Sequence, residues 1–341
     1  MVTPSPAVAH LSKGDSMPDS RYTSERYRAT ARRILTALVT NLSGVLACDS
    51  PTIELAVMTV AAGGHLLLED VPGIGKTTLA RALAASVQGT VNRVQFTSDM
   101  LPSDLTGVTV FDQNTRDFTF FRGPVFTQIL LADEINRANP KAQAALLEAM
   151  EERRVTVDGT SYDLPRPFTV IATQNPVEME GTYPLPEAQL DRFMTRMSLG
   201  YPSAEAEARM LVVPSGHDPL AGLQPVCTTS DLLAVIQTAA HIHVSDAVAR
   251  YAVAILTATR TNPRVRLGAS PRAGLALLAL SRVRALMCGH EAVFPGDVRA
   301  AAAPVLTHRL LFDESTGVLS TQDRAELLDA MVKTVPAPRG A

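Results

Sequence analysis

Apolar residues follow two rhythms along this chain. In the first half they gather in short unbroken runs, at His65–Leu68, Val91–Phe96, Gln128–Asp133 ("QILLAD") and Phe168–Thr173 ("FTVIAT"). Runs of that kind, apolar on every residue, fit strands buried on both faces of a parallel sheet. Helical periods separate them, Thr77–Ser86 after the first and Pro140–Arg153 after the third. Strand then helix, repeated, predicts an α/β fold with a parallel sheet sandwiched by helices and ligands at the carboxyl ends of the strands. Upstream, Tyr22 to about Asp49 reads as a helix with Ile34, Leu35, Leu38, Val39 and Leu42 on one face, and Glu54–Ala62 as a second.

From about Pro202 the rhythm becomes helical throughout. "SAEAEARMLVV", "TTSDLLAVIQTAAHI", "SDAVARYAVAILTATR" and "SPRAGLALLALSRVRALM" are rich in alanine and leucine, with cap residues such as Ser230-Asp231 and Ser245-Asp246 ahead of them. The pattern divides the chain into a disordered leader at 1–23, an α/β domain at 24–202, an α-helical domain at 203–334 and a flexible tail at 335–341. Within the α/β domain, 107–124 ("GVTVFDQNTRDFTFFRGP") and 154–165 ("RVTVDGTSYDLP") alternate about turn residues and read as two inserted β-hairpins.

Composition narrows the picture. At 341 residues the chain is long enough for two cores, and a formal net charge of −3 gives no bias towards nucleic acid. Arg26, Arg28, Arg32 and Arg33 lie at helical spacing and read as a solvated face. Cys48, Cys227 and Cys288 form no disulfide framework or metal spacing, which fits a reducing cytoplasm. His65, His241 and His243 have no ligand set beside them and read as structural or surface residues. The leader lacks a basic start followed by a long apolar stretch, and no run reaches the roughly 18 apolar residues that would suggest a membrane span.

The only lysines are Lys13, Lys76, Lys141 and Lys333, so a lysine in "LLLEDVPGIGKTTLARAL" (66–83) stands out. Here an apolar strand meets a glycine-bearing turn and then a helix whose N-terminus faces the turn. Freed backbone N–H groups at Gly73, Ile74, Gly75 and Lys76, the helix dipole and the lysine charge together favour an anion, best matched by a nucleotide polyphosphate. The eight residues Asp70 to Thr77 fit the phosphate-loop pattern except that an aspartate takes the first glycine's place, outside the part that hugs phosphate. Pro72 and Thr78 flank the loop, and the Thr77 hydroxyl is a ligand for Mg²⁺.

The remaining chemistry lies at the ends of later strands. Asp133 closes "QILLAD" and would hold Mg²⁺ through water, while Glu134 is placed to orient or deprotonate a water attacking the γ-phosphate. Asn175 ends "FTVIATQN", where its amide can position that water or simply make the turn before Pro176. Arg192 and Arg196 sit in "LPEAQLDRFMTRM", read as a helix leaving the site; Arg192 is the first choice and Arg196 the second for a finger reaching a neighbouring subunit, against the alternative of surface ion pairs. Arg272, in "GASPRAGLALL", stands in the first turn of a helix, from which it would contact the γ-phosphate and close a lid.

Together, "GHLLLEDVPGIGKTTLARAL", "FRGPVF", "LLADEINRANPKAQAALLEAMEER", "VIATQNPVEMEGTYPLPEAQLDRF" and "LGASPRA" resemble the MoxR family of AAA+ ATPases over about Arg26 to Asp329. The resemblance implies an AAA+ nucleotide domain with a helical lid, rings that are usually hexamers, and ATP with Mg²⁺ at the subunit interfaces. It assigns Lys76 and Thr77 to Walker A, Asp133 and Glu134 to Walker B, Asn175 to sensor 1, Arg192 to the finger and Arg272 to sensor 2. It implies chaperone-like remodelling or maturation of a client, cofactor insertion included, with a von Willebrand factor A domain protein as partner. Related motors of the magnesium-chelatase or DNA-translocating type share the hairpins, and a nucleotide-sensing scaffold with little turnover is a third reading. The hairpin residues Phe118, Phe120 and Phe121 could touch a client or merely pack. Where relatives carry a Gly-Gln pair near the adenine, this chain has Cys48-Asp49.

Overall fold

The computed structural model describes residues 22, 24–70, 73–114, 116–175, 182–212, 218–313 and 319–338. The expected leader therefore lies almost wholly outside the described residues, as do Pro72 and the last three residues of the expected tail.

The α/β part opens with α1 (Glu25–Ser43) and α2 (Ser50–Ala61). The first helix is shorter than its periodicity suggests: Gly44 forms its C-cap, and Asp49 starts the next helix by accepting from the Thr52 N–H at 3.1 Å. Asp-Ser-Pro at 49–51 is a helix start, with the carboxylate capping and the proline in the first turn. There follow β1 (Leu66–Glu69), α3 (Lys76–Ser86), β2 (Val91–Gln95), α4 (Pro102–Thr106), the hairpin β3 (Gly107–Asp112) and β4 (Asp117–Arg122), and β5 (Ile129–Asp133). Then come α5 (Pro140–Glu152), the hairpin β6 (Arg154–Val157) and β7 (Thr160–Asp163), β8 (Thr169–Gln174), α6 (Glu187–Leu190) and β9 (Thr195–Met197). The second hairpin turns through Asp158 and Gly159 at φ of 49° and 77°, the paired positive values of a type I′ turn.

The central sheet is parallel throughout, in the order β2-β5-β8-β1-β9. Its strands alternate between two cores. Leu66, Leu68, Ile129, Leu131 and Ile171 face one layer, while Leu67, Leu130, Ala132, Val170 and Ala172 face the other, packed with α5 residues such as Leu146 and Met150. Burial on both sides is why these strands read as unbroken apolar runs.

The helical part comprises α7 (Ala204–Val212), α8 (Thr229–Ala240), α9 (Asp246–Thr261), β10 (Val265–Leu267), α10 (Pro271–Cys288), α11 (Pro295–Leu306), β11 (Leu311–Phe312) and α12 (Thr321–Thr334). Its apolar residues join α1, α2, α3 and one sheet face in a single cluster, so the two cores are divided by the sheet and not by the domain boundary. Two end assignments also change. Thr228 caps α8 in a reciprocal box with Asp231, displacing Ser230 into the helix, and Val335 is buried in the core beyond α12 although the flexible tail was expected to begin there. Ser245 caps α9, accepting from the Val248 N–H.

Candidate active site

Strand register sets the site. Gln95 lies opposite Asp133, Ala132 opposite Ala172, and Leu68 opposite Thr173, so the carboxyl ends of four neighbouring strands finish in one row. Gly73, Gly75, Lys76, Thr77, Thr78, Arg93, Gln95, Asp133, Glu134 and Asn175 line a cavity of about 350 Å³ at that edge. Gly73 and Gly75 have φ of 89° and 98°, and a Cβ built on either meets no atom within 4 Å, so their backbone faces open space. A left-handed glycine before α3 is what lets the chain turn sharply from strand into helix and leave the N–H groups pointing at the cavity.

The charged side chains there are already engaged. Lys76 Nζ donates to the Asp70 carbonyl at 3.0 Å. Asp133 is buried; its Oδ1 accepts from the Thr173 hydroxyl at 2.6 Å and its Oδ2 from Arg93 Nη2 at 2.7 Å. Glu134 follows with φ of 56°, a left-handed conformation that costs a non-glycine residue of order 1 kcal/mol and turns its side chain out of the strand direction. Its carboxylate accepts from Gln95 Nε2 at 2.6 Å and pairs with Arg137 at 3.0 Å, and its N–H donates to Thr173 Oγ1. Thr173, Arg93 and Gln95 escaped the sequence reading. The signal for the latter two was available in "VNRVQF", where two polar residues alternate with buried Val94 and Phe96 at the end of a strand.

Asp70 is also buried. Its carboxylate accepts from the Ser198 hydroxyl at 2.5 Å and the Leu199 N–H at 2.7 Å, tying the start of the phosphate loop to the segment that leads into the helical part. The aspartate that replaces the usual glycine therefore points away from the cavity.

The arginines lie elsewhere. Helix α6 ends at Leu190, so Arg192 stands in a turn after it and Arg196 on β9, and neither is on the expected helix. Arg196 pairs with Glu69 at the end of β1. Arg192 Nη1 donates to the Leu147 carbonyl at 2.6 Å and pairs with Glu151 at 2.6 Å. Arg272, held in the first turn of α10 by the Ser270 cap, pairs with the same Glu151 at 3.1 Å. Both line a second cavity of about 350 Å³ with Gly64, His65, Arg153, Asp191 and Arg309. That cavity is at the opposite edge of the sheet: α5 starts beyond the carboxyl end of β5 and its 13 residues run back about 18 Å. Arg272 is thus not brought together with Lys76 and Asp133 within this chain, because the lid docks on α1 and α2 and delivers the residue to the amino ends of the strands.

His65, at the start of β1, marks this edge. Its Nε2 donates to the Met150 carbonyl and its Nδ1 accepts from the Val170 N–H, and burial pulls its pKa down to about 4. It is a structural, neutral histidine.

A five-stranded parallel sheet with a phosphate loop after its first strand, paired acids at the end of a later strand and a helical appendage defines a P-loop nucleotide-binding protein of the AAA+ class. A family profile described as ATPase family associated with various cellular activities (AAA) matches residues 65–195, and an AAA lid domain profile matches residues 257–328. The chain is 41% identical over 316 residues to "Uncharacterized protein YeaC" of Bacillus subtilis, covering 92% of this chain and 99% of that protein. It is 40% identical to "Chaperone MoxR1" of Mycobacterium tuberculosis, covering 84% and 78%, and 33% identical to "Protein MoxR" of Paracoccus denitrificans, covering 87% and 94%. A crystal structure from Cytophaga hutchinsonii, described as a candidate ATPase, superposes with a TM-score of 0.83 at 32% identity over 92% of this chain and 98% of that one. The chain belongs to the MoxR family of AAA+ ATPases.

The residues at the first cavity suit magnesium and a polyphosphate. Thr77 and Asp133 offer the oxygen ligands a hard cation takes, the loop offers N–H donors and a lysine, and the two open glycines leave room for the phosphates.

Proposed function

We propose that this protein is a Mg²⁺-dependent ATPase whose hydrolysis, in a ring of subunits, remodels a client protein. The observation that carries the reading is the convergence of Lys76, Thr77, Asp133, Glu134 and Asn175 on one cavity from three separate strand ends.

 The ring is taken as a hexamer, the assembly usual in the family. The loop N–H groups and Lys76 bind the β- and γ-phosphates, and Thr77 and Asp133 would hold the metal. Bound Mg²⁺ would supply positive charge that offsets the charge developing on the phosphates. Glu134 orients the attacking water and takes its proton, with Asn175 positioning that water from the neighbouring strand. For Glu134 to do so, its carboxylate must exchange the Gln95 and Arg137 contacts for the water.

Arg192 and Arg272 complete the reaction centre of an adjacent subunit. Their place at the far edge of the sheet, beside Leu275, which is 73% exposed, suits a surface that a second copy covers. The chaperone reading draws on the relative named Chaperone MoxR1 and on the first hairpin, where Phe118 and Phe121 are exposed while Phe120 stacks on Tyr162 of the second hairpin with ring centroids 4.2 Å apart. The client is a von Willebrand factor A domain protein, met in the cytoplasm. No described helix is long and apolar enough to cross a membrane.

The test is capture by Glu134→Gln, which should bind ATP and stall with its client. Retention from native extract with Mg-ATP but not ADP, and identification of a von Willebrand factor A protein by mass spectrometry, is the expected result. A chelatase subunit or DNA in its place would overturn the client assignment. A single stoichiometric burst of phosphate from the wild type, with no further turnover, would instead mark a nucleotide-sensing scaffold.

A further inference from the structure

We infer that Glu151 is the positioning residue for the two arginines offered to the neighbouring subunit. The inference rests on the composite-site reading above and adds to it the group that sets the direction of both guanidiniums.

Three segments distant in sequence meet at this carboxylate. Glu151 closes α5 of the α/β part, Arg192 stands in the turn before β9, and Arg272 opens α10 of the lid. Oε2 takes Arg192 Nη1 at 2.6 Å and Oε1 takes Arg272 Nη2 at 3.1 Å, so one carboxylate spans both. The other carboxylate lining the cavity, Asp191, is occupied: Arg309 Nε donates to its Oδ1 at 2.6 Å and the Ser270 hydroxyl to its Oδ2 at 3.0 Å. Glu151 is therefore the one acid among the described lining residues that serves Arg192 and Arg272.

The charge balance matters for an arriving phosphate. Two guanidiniums on one carboxylate leave a net positive group, whereas a second acid would cancel it. With no acid at all, like charges a few ångströms apart would drive the side chains apart, and each would spread over its rotamers. The buried Arg192 Nε has no hydrogen-bond partner among the described residues, so this guanidinium is held through its Nη1 contacts. At 38% exposure the Glu151 side chain is accessible at the rim, so the pair it organises can meet another molecule. Because Arg272 belongs to the lid and Arg192 to the α/β part, any lid displacement is felt at Arg192 through this shared contact.

The experiment is a double-mutant cycle in the full-length protein, with steady-state kcat and binding of a fluorescent ATP analogue as readouts. Glu151→Ala should lower kcat about tenfold or more and leave nucleotide affinity within about twofold, because the phosphate loop lies at the other edge of the sheet. Glu151→Gln, which keeps an acceptor but loses the charge, should fall between. In an Arg192→Ala/Arg272→Ala background, Glu151→Ala should change the residual kcat by less than about twofold. An equal loss in both backgrounds, or a wild-type kcat for Glu151→Ala, would overturn the assignment; so would a parallel loss of nucleotide affinity, the mark of a general structural role. If Arg192→Ala/Arg272→Ala itself turns over at the wild-type rate, the composite-site reading fails, and the positioning role fails with it. The Gln variant keeps the cycle measurable should the Ala variant not fold.

Discussion

The two edges of the sheet hold cavities of similar size built on opposite plans. At the carboxyl edge the binding groups are largely backbone N–H donors and short side chains, supplied by stretches contiguous in sequence and locked by strand register. At the amino edge they are long arginine side chains from α10 and the turn before β9, held by ion pairs to Glu151 near the end of α5. The first cavity is organised to receive a ligand by its own chain. The second presents charge that its own phosphate loop cannot use, about 18 Å away along α5.

This difference can be broken most severely at the phosphate loop. Lys76→Ala should lose nucleotide binding by about 100-fold or more, while Arg192→Ala should keep it and lose hydrolysis by about 10³-fold, read by analogue binding and phosphate release. Mixing the two variants should recover part of the activity if each site takes groups from two subunits, and assembled mixed rings without recovery would refute a trans role for Arg192.

Acid should act on the amino edge first. The buried, neutral His65 titrates near 4, against about 6.5 when unfolded, so the unfolded chain binds the extra proton between those values. Its contribution to stability is full above about pH 6.5 and drains away as the pH falls towards 4, by roughly 3 kcal/mol in all. Denaturant titrations of the wild type and His65→Gln across that range should converge at low pH; parallel curves would show that His65 is not the group responsible.

Restoring the glycine at the head of the loop tests whether Asp70 serves the cavity or the fold. Asp70→Gly should bind nucleotide within about threefold of wild type yet lose of order 1–3 kcal/mol of unfolding free energy, since the buried Leu199 N–H and the Ser198 hydroxyl are left without their acceptor. The smallest effect is expected at the first hairpin. Phe118→Ser should change stability by no more than about 0.5 kcal/mol, because the ring is 68% exposed, whereas Phe120→Ser should cost more through its lost stacking on Tyr162. If the two variants are equally destabilised, the division of the aromatic residues between packing and surface is wrong.

Several features were legible in the residues alone. The four apolar runs became β1, β5, β8 and β2 to within a residue or so at their ends, and both hairpins stand where alternation about "DQNTRD" and Asp158-Gly159 places them. Those patterns are local, and each follows from burial on two faces or from a turn that only certain residues accept. Helix ends were less secure: Asp49 was read into the first helix, where it instead caps the second, because a capping carboxylate and an exposed helical one look alike until the chain direction is known. "LPEAQLDRFMTRM" reads as a helix, yet only Glu187–Leu190 is helical, Arg192 falls in the turn and Arg196 on β9, because pairing of Thr195–Met197 with β1 is a tertiary contact.

What the sequence by itself determined is the chemistry of the loop: strand, glycines, lysine and hydroxyl follow one another closely enough that backbone geometry brings them together, and strand register then sets the paired acids of β5 beside them. What only the tertiary structure decided is where the lid docks. Packing of α8 and α10 on α1 joins the helical part to one sheet face, and that choice sends Arg272 to Glu151 and Arg192 at the amino edge. A side chain's direction across a domain contact depends on many weak apolar contacts summed over a surface, and no short stretch of sequence carries that sum.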